Sequence, residues 1–80
     1  MIVKLKMPKF GSMMTTGTIV EWYKKEGDTV KKGEHTLEIS TEKLNNDVDS
    51  TASGVVNKIV AKVGDKIPVG WVLALIETAE

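Results

Sequence analysis

The sequence predicts an all-β domain, a sandwich or barrel built from two copies of one unit. Three observations carry this. Apolar residues alternate with polar ones in short runs, as in Val3-Lys4-Leu5-Lys6-Met7 and Leu37-Glu38-Ile39, which is the period of half-buried strands. Glycine punctuates those runs at steady intervals, and no segment carries a capped apolar stripe of helical length,. Residues 17–43 also align without a gap on residues 54–80, at an offset of 37. Gly17/Gly54, Lys25/Lys62, Gly27/Gly64, Asp28/Asp65, Gly33/Gly70, Ile39/Ile76 and Thr41/Thr78 are identical, and Ile19/Val56 and Val30/Ile67 stay apolar. A repeat of this length is one supersecondary unit used twice. Each copy alone would leave an apolar face wet, so two similar sheets must dock about a pseudo-two-fold axis.

Taken in order, Val3, Leu5 and Met7 face one side of a first strand and Lys4 and Lys6 the other. Residues 8–16 (PKFGSMMTT) form a loop. Residues 17–23 (GTIVEWY), rich in β-branched and aromatic side chains, form the second strand,. Glu26-Gly27-Asp28 and Lys31-Lys32-Gly33-Glu34 are turns,. Residues 36–41 (TLEIST) alternate as a half-buried strand, and residues 44–49 (LNNDVD) form a weaker one. These two are too close in sequence to be anything but antiparallel neighbours, so Glu42-Lys43 form the tip, where a type I turn accommodates them. Residues 54–60 (GVVNKIV) repeat the second strand, Gly64-Asp65 its turn, and residues 72–78 (VLALIET) the 36–41 strand. The expected core is Val3, Leu5, Ile19, Val30, Leu37, Ile39, Val48, Val56, Ile59, Ile67, Val72, Leu73 and Ile76.

Eighty residues make one small domain with a small interior,. A deep substrate cleft has no room beside such a core, which argues against a free-standing enzyme. Cysteine is absent, which removes disulfides, thiolate metal sites and thiol nucleophiles and fits an intracellular protein,; the expected location is a bacterial cytoplasm, with a mitochondrial matrix as the alternative. No apolar run approaches the ~18 residues of a membrane span, and the alternating start lacks the apolar centre of a signal peptide. Eleven lysines balance eleven acids, but unevenly: residues 1–33 carry +4 and residues 34–54 carry −4. There is no arginine to recognise phosphate or guanine bidentately, and only four aromatics, so nucleic-acid binding is disfavoured. His35 has no second ligand or serine–acid pattern near it and reads as a surface residue. Met13-Met14 read as loop packing, Trp22 and Trp71 as packing residues, and the glycines lack phosphate-loop spacing. Alternation would send the acids around residue 43 to both faces of the sheet, which disfavours a calcium cage.

The repeat sets one lysine apart. Where the second copy ends at Glu80, the first carries Glu42-Lys43 and runs on into another strand. A lone amine at a hairpin tip is ordinary solvation in most proteins; in this architecture it is a place of attachment. The chain resembles a lipoyl domain, the module at the front of dihydrolipoamide acyltransferases in 2-oxo acid dehydrogenase complexes. Residues 7–34 (MPKFGSMMTTGTIVEWYKKEGDTVKKGE) are similar to that family's first half, with its Met-Pro start, loop, and Gly-Asp and Lys-Gly turns. Residues 37–56 (LEISTEKLNNDVDSTASGVV) are similar to its centre, where the modified lysine follows an acid. Residues 63–77 (VGDKIPVGWVLALIE) are similar to its closing repeat. Four positions depart from the pattern: Glu42 for the usual Asp, Leu44 for Ala or Val, Asn46 for an apolar residue and Thr51 for proline. Similar variants occur in acetoin-type complexes, so the departures blur the parent complex.

The resemblance implies a flattened barrel-sandwich hybrid of two four-stranded antiparallel sheets, with residues 1–80 forming a single, monomeric lipoyl domain of a longer protein. It implies lipoate in amide linkage to Lys43, acting as a swinging arm. A thiamine-diphosphate-dependent dehydrogenase component reductively acylates it, an acyltransferase catalytic domain passes the acyl group to coenzyme A, and dihydrolipoamide dehydrogenase reoxidises it. A lipoate-protein ligase or lipoyl transferase installs the group. The domain itself is a carrier, with no catalytic residue, no metal site and no nucleic-acid or membrane partner. Recognition is expected to involve Glu42, Leu44 and Asp47 around the lysine, with Glu38 nearby, and Phe10, Gly11 and Ser12 in a loop that lies beside the hairpin in this family. Two rivals stand beside it. Biotin carriers share the fold but place methionine on both sides of their lysine. Unmodified hybrid-barrel assembly modules tend to lose the tip lysine.

Overall fold

A computed structural model describes residues 1–42 and 44–79. The described residues form eight strands: β1 (Ile2–Lys6), β2 (Thr16–Trp22), β3 (Thr29–Val30), β4 (His35–Ser40), β5 (Asn45–Asp49), β6 (Gly54–Ile59), β7 (Lys66–Pro68) and β8 (Val72–Glu77). They form two four-stranded sheets in the orders β1-β8-β6-β3 and β5-β4-β2-β7, antiparallel throughout. The long expected strands are present with ends moved by one or two residues. β3 and β7, at two and three residues, are too short to show an alternating pattern in sequence.

The two sheets are copies. The shift of 37 carries β2, β3 and β4 onto β6, β7 and β8, and the sheet orders interchange strand for strand. Each short strand crosses over, so that β3 pairs with β6 and β7 with β2. Hydrogen bonds repeat in matching pairs. Gly27 N–H donates to the Val56 carbonyl at 2.8 Å, and Gly64 N–H to that of Ile19 at 2.8 Å. Gly33 N–H donates to Ser50 at 2.8 Å, and Gly70 N–H to Met7 at 2.9 Å. All four of these donors have φ between 87° and 94°, a left-handed conformation open to glycine at little cost. This explains why glycine is kept at both copies of each turn.

Irregularity is duplicated too. The register shifts between Ile19 and Glu21 in β2 and between Val56 and Lys58 in β6. It shifts again where His35 and Leu37 face β5, and where Val72 and Ala74 face β1. A bulge puts consecutive residues on one side of a strand, and this corrects the expected core. The buried apolar set is Leu5, Met7, Ile19, Val30, Leu37, Ile39, Val48, Val56, Ala61, Leu73, Ala74 and Ile76. Ala74 joins it because Leu73 and Ala74 flank a bulge, and Val72, beyond it, is only half-buried. Thr36 and Leu37 are the matching buried pair in β4. The Thr36 hydroxyl is satisfied by the Glu34 carbonyl at 3.1 Å, so the copy tolerates threonine where β8 has leucine. Ile59 and Ile67 pack against the core without full burial. Val3 is half-buried, because β1 is an edge strand.

β1 and β5 are also counterparts, but Leu5 matches Val48 at an offset of 43. That exceeds 37 by six residues. The connection from β1 to β2 therefore holds six residues with no counterpart between β5 and β6.

Candidate functional site

β4 and β5 run side by side to the pair Ser40 and Asn45. Just beyond, Thr41 N–H donates to the Leu44 carbonyl at 2.9 Å, and the Thr41 hydroxyl donates to the same oxygen at 2.8 Å. The chain thus reverses with only Glu42 and Lys43 between the closing residues. Lys43, the expected attachment point, lies outside the described residues. Its neighbours Glu42 and Leu44 are both exposed, Leu44 at 56%. The counterpart of this closure is the Thr78 N–H bond to the Met1 carbonyl at 2.8 Å, so the symmetry maps the turn onto the two chain ends.

The six additional residues of the β1–β2 connection stand beside this turn. Met7 is buried and holds the Trp71 carbonyl through its N–H at 2.8 Å. Val69 N–H ties down the Thr15 carbonyl at 2.9 Å. Between these anchors, Phe10 N–H donates to Met14 Sδ at 3.2 Å, and Met14 N–H to the Gly11 carbonyl at 3.1 Å. Met14 packs on the core, whereas Met13 is 89% exposed. The expectation that both methionines are packing residues therefore holds for Met14 alone. Together, loop and turn enclose a cleft of about 640 Å³.

Five of the six expected recognition residues, Phe10, Gly11, Ser12, Glu42 and Leu44, line that cleft. Asp47 does not. It lies on the outer face of β5, where the Tyr23 hydroxyl donates to its Oδ1 at 2.9 Å. With Phe10 it also lines a smaller recess of about 240 Å³ between β1 and β5. Alternation sends the acids around residue 43 to both faces, but three of them, Glu38, Asp47 and Asp49, share one face, while Glu42 lines the cleft. Asp47 pairs in register with Glu38, and Asp49 lies two residues further along the same face of β5. His35 Nδ1 meets Asp49 Oδ1 at 2.6 Å, and its Nε2 is 3.8 Å from Asp47. Asn45 donates to Glu38 at 3.0 Å. The hydrogen bond that its ring donates to Asp49 raises the His35 pKa above its ordinary 6.5. The hydrogen bond to Asp47, with burial and the surrounding acids, pushes the Tyr23 phenol up to about 12. Among the described residues no cluster of His, Cys, Asp or Glu could hold a metal.

Two residues depart from expectation. Trp22 packs, with Nε1–H donating to the Ala61 carbonyl at 2.9 Å, but Trp71 is 64% exposed. Asn46 is missing from the expected site yet lines the cleft. Its parity with buried Val48 is the signal that places it inward. Its Nδ2 is buried and has no hydrogen-bond partner among the described residues.

The chain matches the family model Biotin_lipoyl, described as "Biotin-requiring enzyme", over residues 3–76. It is 41% identical over 76 residues to the dihydrolipoyllysine-residue acetyltransferase component of the acetoin cleaving system of Pseudomonas putida, covering 95% of this chain and 20% of that protein. The chain spans between 12% and 20% of the length of the first curated relatives it matches. In structure it is similar to the lipoyl domain of the 2-oxoglutarate dehydrogenase complex of Azotobacter vinelandii, with a TM-score of 0.77 and 32% identity over 98% of this chain and 99% of that one. It is also similar to part of the urea carboxylase of Kluyveromyces lactis, with a TM-score of 0.81 and 28% identity over 96% of this chain and 6% of that one.

Proposed function

The chain belongs to the Biotin_lipoyl family as a lipoyl domain, and from that premise we propose that Lys43 carries lipoate in amide linkage. On this reading the domain delivers that group among the active sites of a dehydrogenase complex. The observation that supports the reading is the closure at Thr41 and Leu44. The closure leaves two positions, 42 and 43, between the closing residues, and Glu42 and Leu44 are both exposed. Glu42, Leu44 and the 10–12 loop residues give a ligase and a thiamine-diphosphate-dependent decarboxylase a surface that a free lysine lacks.

Bound there, lipoate supplies a ring disulfide whose interconversion with the dithiol is a two-electron couple. The protein's own contribution is mechanical. The Thr41 hydroxyl and N–H both pin the Leu44 carbonyl, which closes the turn that presents the arm. Tethering the reactive end turns encounters with each partner site into intramolecular ones, at effective concentrations of order mM for a short flexible link. The acyltransferase catalytic domain and dihydrolipoamide dehydrogenase follow as partners of such a carrier, in a bacterial cytoplasm or a mitochondrial matrix.

Intact-mass analysis after co-expression with lipoate and a lipoate-protein ligase tests the attachment. A single lipoyl adduct, absent from Lys43→Ala, is the expected result. Incorporation of biotin by a biotin ligase in place of lipoate would overturn it; the Glu42 and Leu44 flanks, where biotin carriers have methionines, argue against that outcome.

A further inference from the structure

We propose that the cleft beside the 41–44 turn is a seat for the lipoyl arm, and that Asn46 is the residue that positions the arm there. The inference rests on the lipoyl reading above and adds to it: the arm has a resting place on its own domain as well as destinations elsewhere.

Three independent observations meet at this cleft. The first is asymmetry. Strand order, bulges, turns and glycines are all duplicated, but six residues of the β1–β2 connection have no counterpart, and they form one wall of this cleft. The matching turn at the chain ends has no such wall. The second is placement. Both chain neighbours of residue 43, Glu42 and Leu44, line the cleft, so position 43 is flanked on each side by cleft residues. The third is chemistry. Phe10, Met13, Met14 and Leu44 offer apolar and sulfur-bearing surface, suited to an alkyl chain ending in a disulfide ring. The volume, about 640 Å³, falls within the range of small-molecule sites.

Asn46 supplies the polar component. A buried amide nitrogen without a partner is costly, and here it sits on a residue that lines a cleft of mixed polar and apolar surface. The arm's only hydrogen-bonding group between backbone and ring is its amide, whose carbonyl is the acceptor that Nδ2 lacks. Turning about the broad terminal torsion of the Asn46 side chain directs the donor toward the cleft. A valine at position 46 would fill the same inward position and offer no donor.

The test uses isotope-labelled domain before and after lipoylation, with the adduct verified by intact mass. Failure of attachment is therefore separated from failure of seating. On lipoylation the Asn46 side-chain amide and the Met13 and Met14 methyl resonances are expected to shift. Nuclear Overhauser contacts should join the arm to Phe10 and Met14. A soluble phosphine should reduce the ring at least threefold more slowly than it reduces free lipoamide. In lipoylated Asn46→Val the contacts and the protection should be lost while the backbone spectrum stays native. A second variant, shortened by six residues between positions 8 and 15, should lose the protection as well. Equal reduction rates for wild type, Asn46→Val and free lipoamide would overturn the seat. So would cleft resonances that respond only when the decarboxylase partner is added, which would make the cleft a partner surface.

Discussion

Asn46 carries a buried side-chain nitrogen with no partner among the described residues, and such a group costs about 1–3 kcal/mol. Asn46→Val should therefore stabilise the unmodified domain. A gain of about 1 kcal/mol corresponds to roughly 4–8 °C in a domain of this size, readable by calorimetry. An unchanged or lowered Tm would mean that the nitrogen is satisfied in solution. His35 makes a prediction of opposite character. Its pKa is raised in the folded state, first by the Asp49 hydrogen bond and then by the charges of Asp49 and Asp47. Folding thus favours the protonated ring. The stabilisation is fully present below 6.5 and disappears as pH rises through the higher folded value,. Thermal melts of wild type and His35→Gln from about pH 5.5 to 8.5 should show wild type more stable at the acid end, with the gap closing toward the alkaline end. A gap independent of pH would remove the ion pair from the explanation.

Among the elements, equivalent positions can be conserved between the copies for different reasons. Gly17 in β2 and Gly54 in β6 are related by the repeat. A Cβ at Gly54 would lie 2.1 Å from the Glu77 carbonyl oxygen, a backbone atom that cannot step aside. At Gly17 it would meet the ends of Met7, Ile39 and Met14 at 3.1–3.2 Å, and long side chains yield. Gly54→Ala should cost about 3 kcal/mol or more, and Gly17→Ala about 1 kcal/mol. Urea melts of the two variants give the comparison, and equal costs would contradict it. This pair shows how far sequence alone reaches. The repeat revealed that both glycines matter, and the turn glycines followed from chemistry. The close approach of β6 to the end of β8 depends on tertiary placement. The bulges stayed hidden for a related reason. Thr36-Leu37 and Leu73-Ala74 break strict alternation without any local residue signal, so parity counting lost Ala74 and overstated Val72. At the site, the loop beside the turn was expected from resemblance. The convergence of Asp47, Asp49 and Glu38 on Tyr23 and His35 was not, because β4 and β5 meet in a register that the two short strands do not announce.

For the whole molecule, the pseudo-two-fold axis relates the 41–44 turn to the chain ends. Thr41 corresponds to Thr78, and Leu44, through the 43-residue offset, to Met1. Each threonine N–H donates to the carbonyl of its partner, at 2.9 Å in the turn and 2.8 Å at the ends. In numbering, Ala79 and Glu80 therefore occupy the places of Glu42 and Lys43. A peptide bond from Glu80 directly to Met1 needs no linker, since the first copy already bridges the same gap with two residues. Closing an 80-residue chain removes up to about 4.5 kcal/mol of unfolded-state entropy in the loop-closure model. Strain at the join would subtract from that gain. The cyclised domain should fold to the same structure and melt at least ~5 °C above the linear chain. Cyclisation also supplies a control for the arm's seat. Glu80→Lys in the cyclised chain places a second lysine in a matching turn that lacks the six-residue wall. If lipoylated there, its ring should be reduced by phosphine as fast as free lipoamide, whereas the ring at Lys43 stays protected. A lower Tm on closure would show that the duplicated geometry fails at the ends, and equal protection at both lysines would show that the wall contributes nothing.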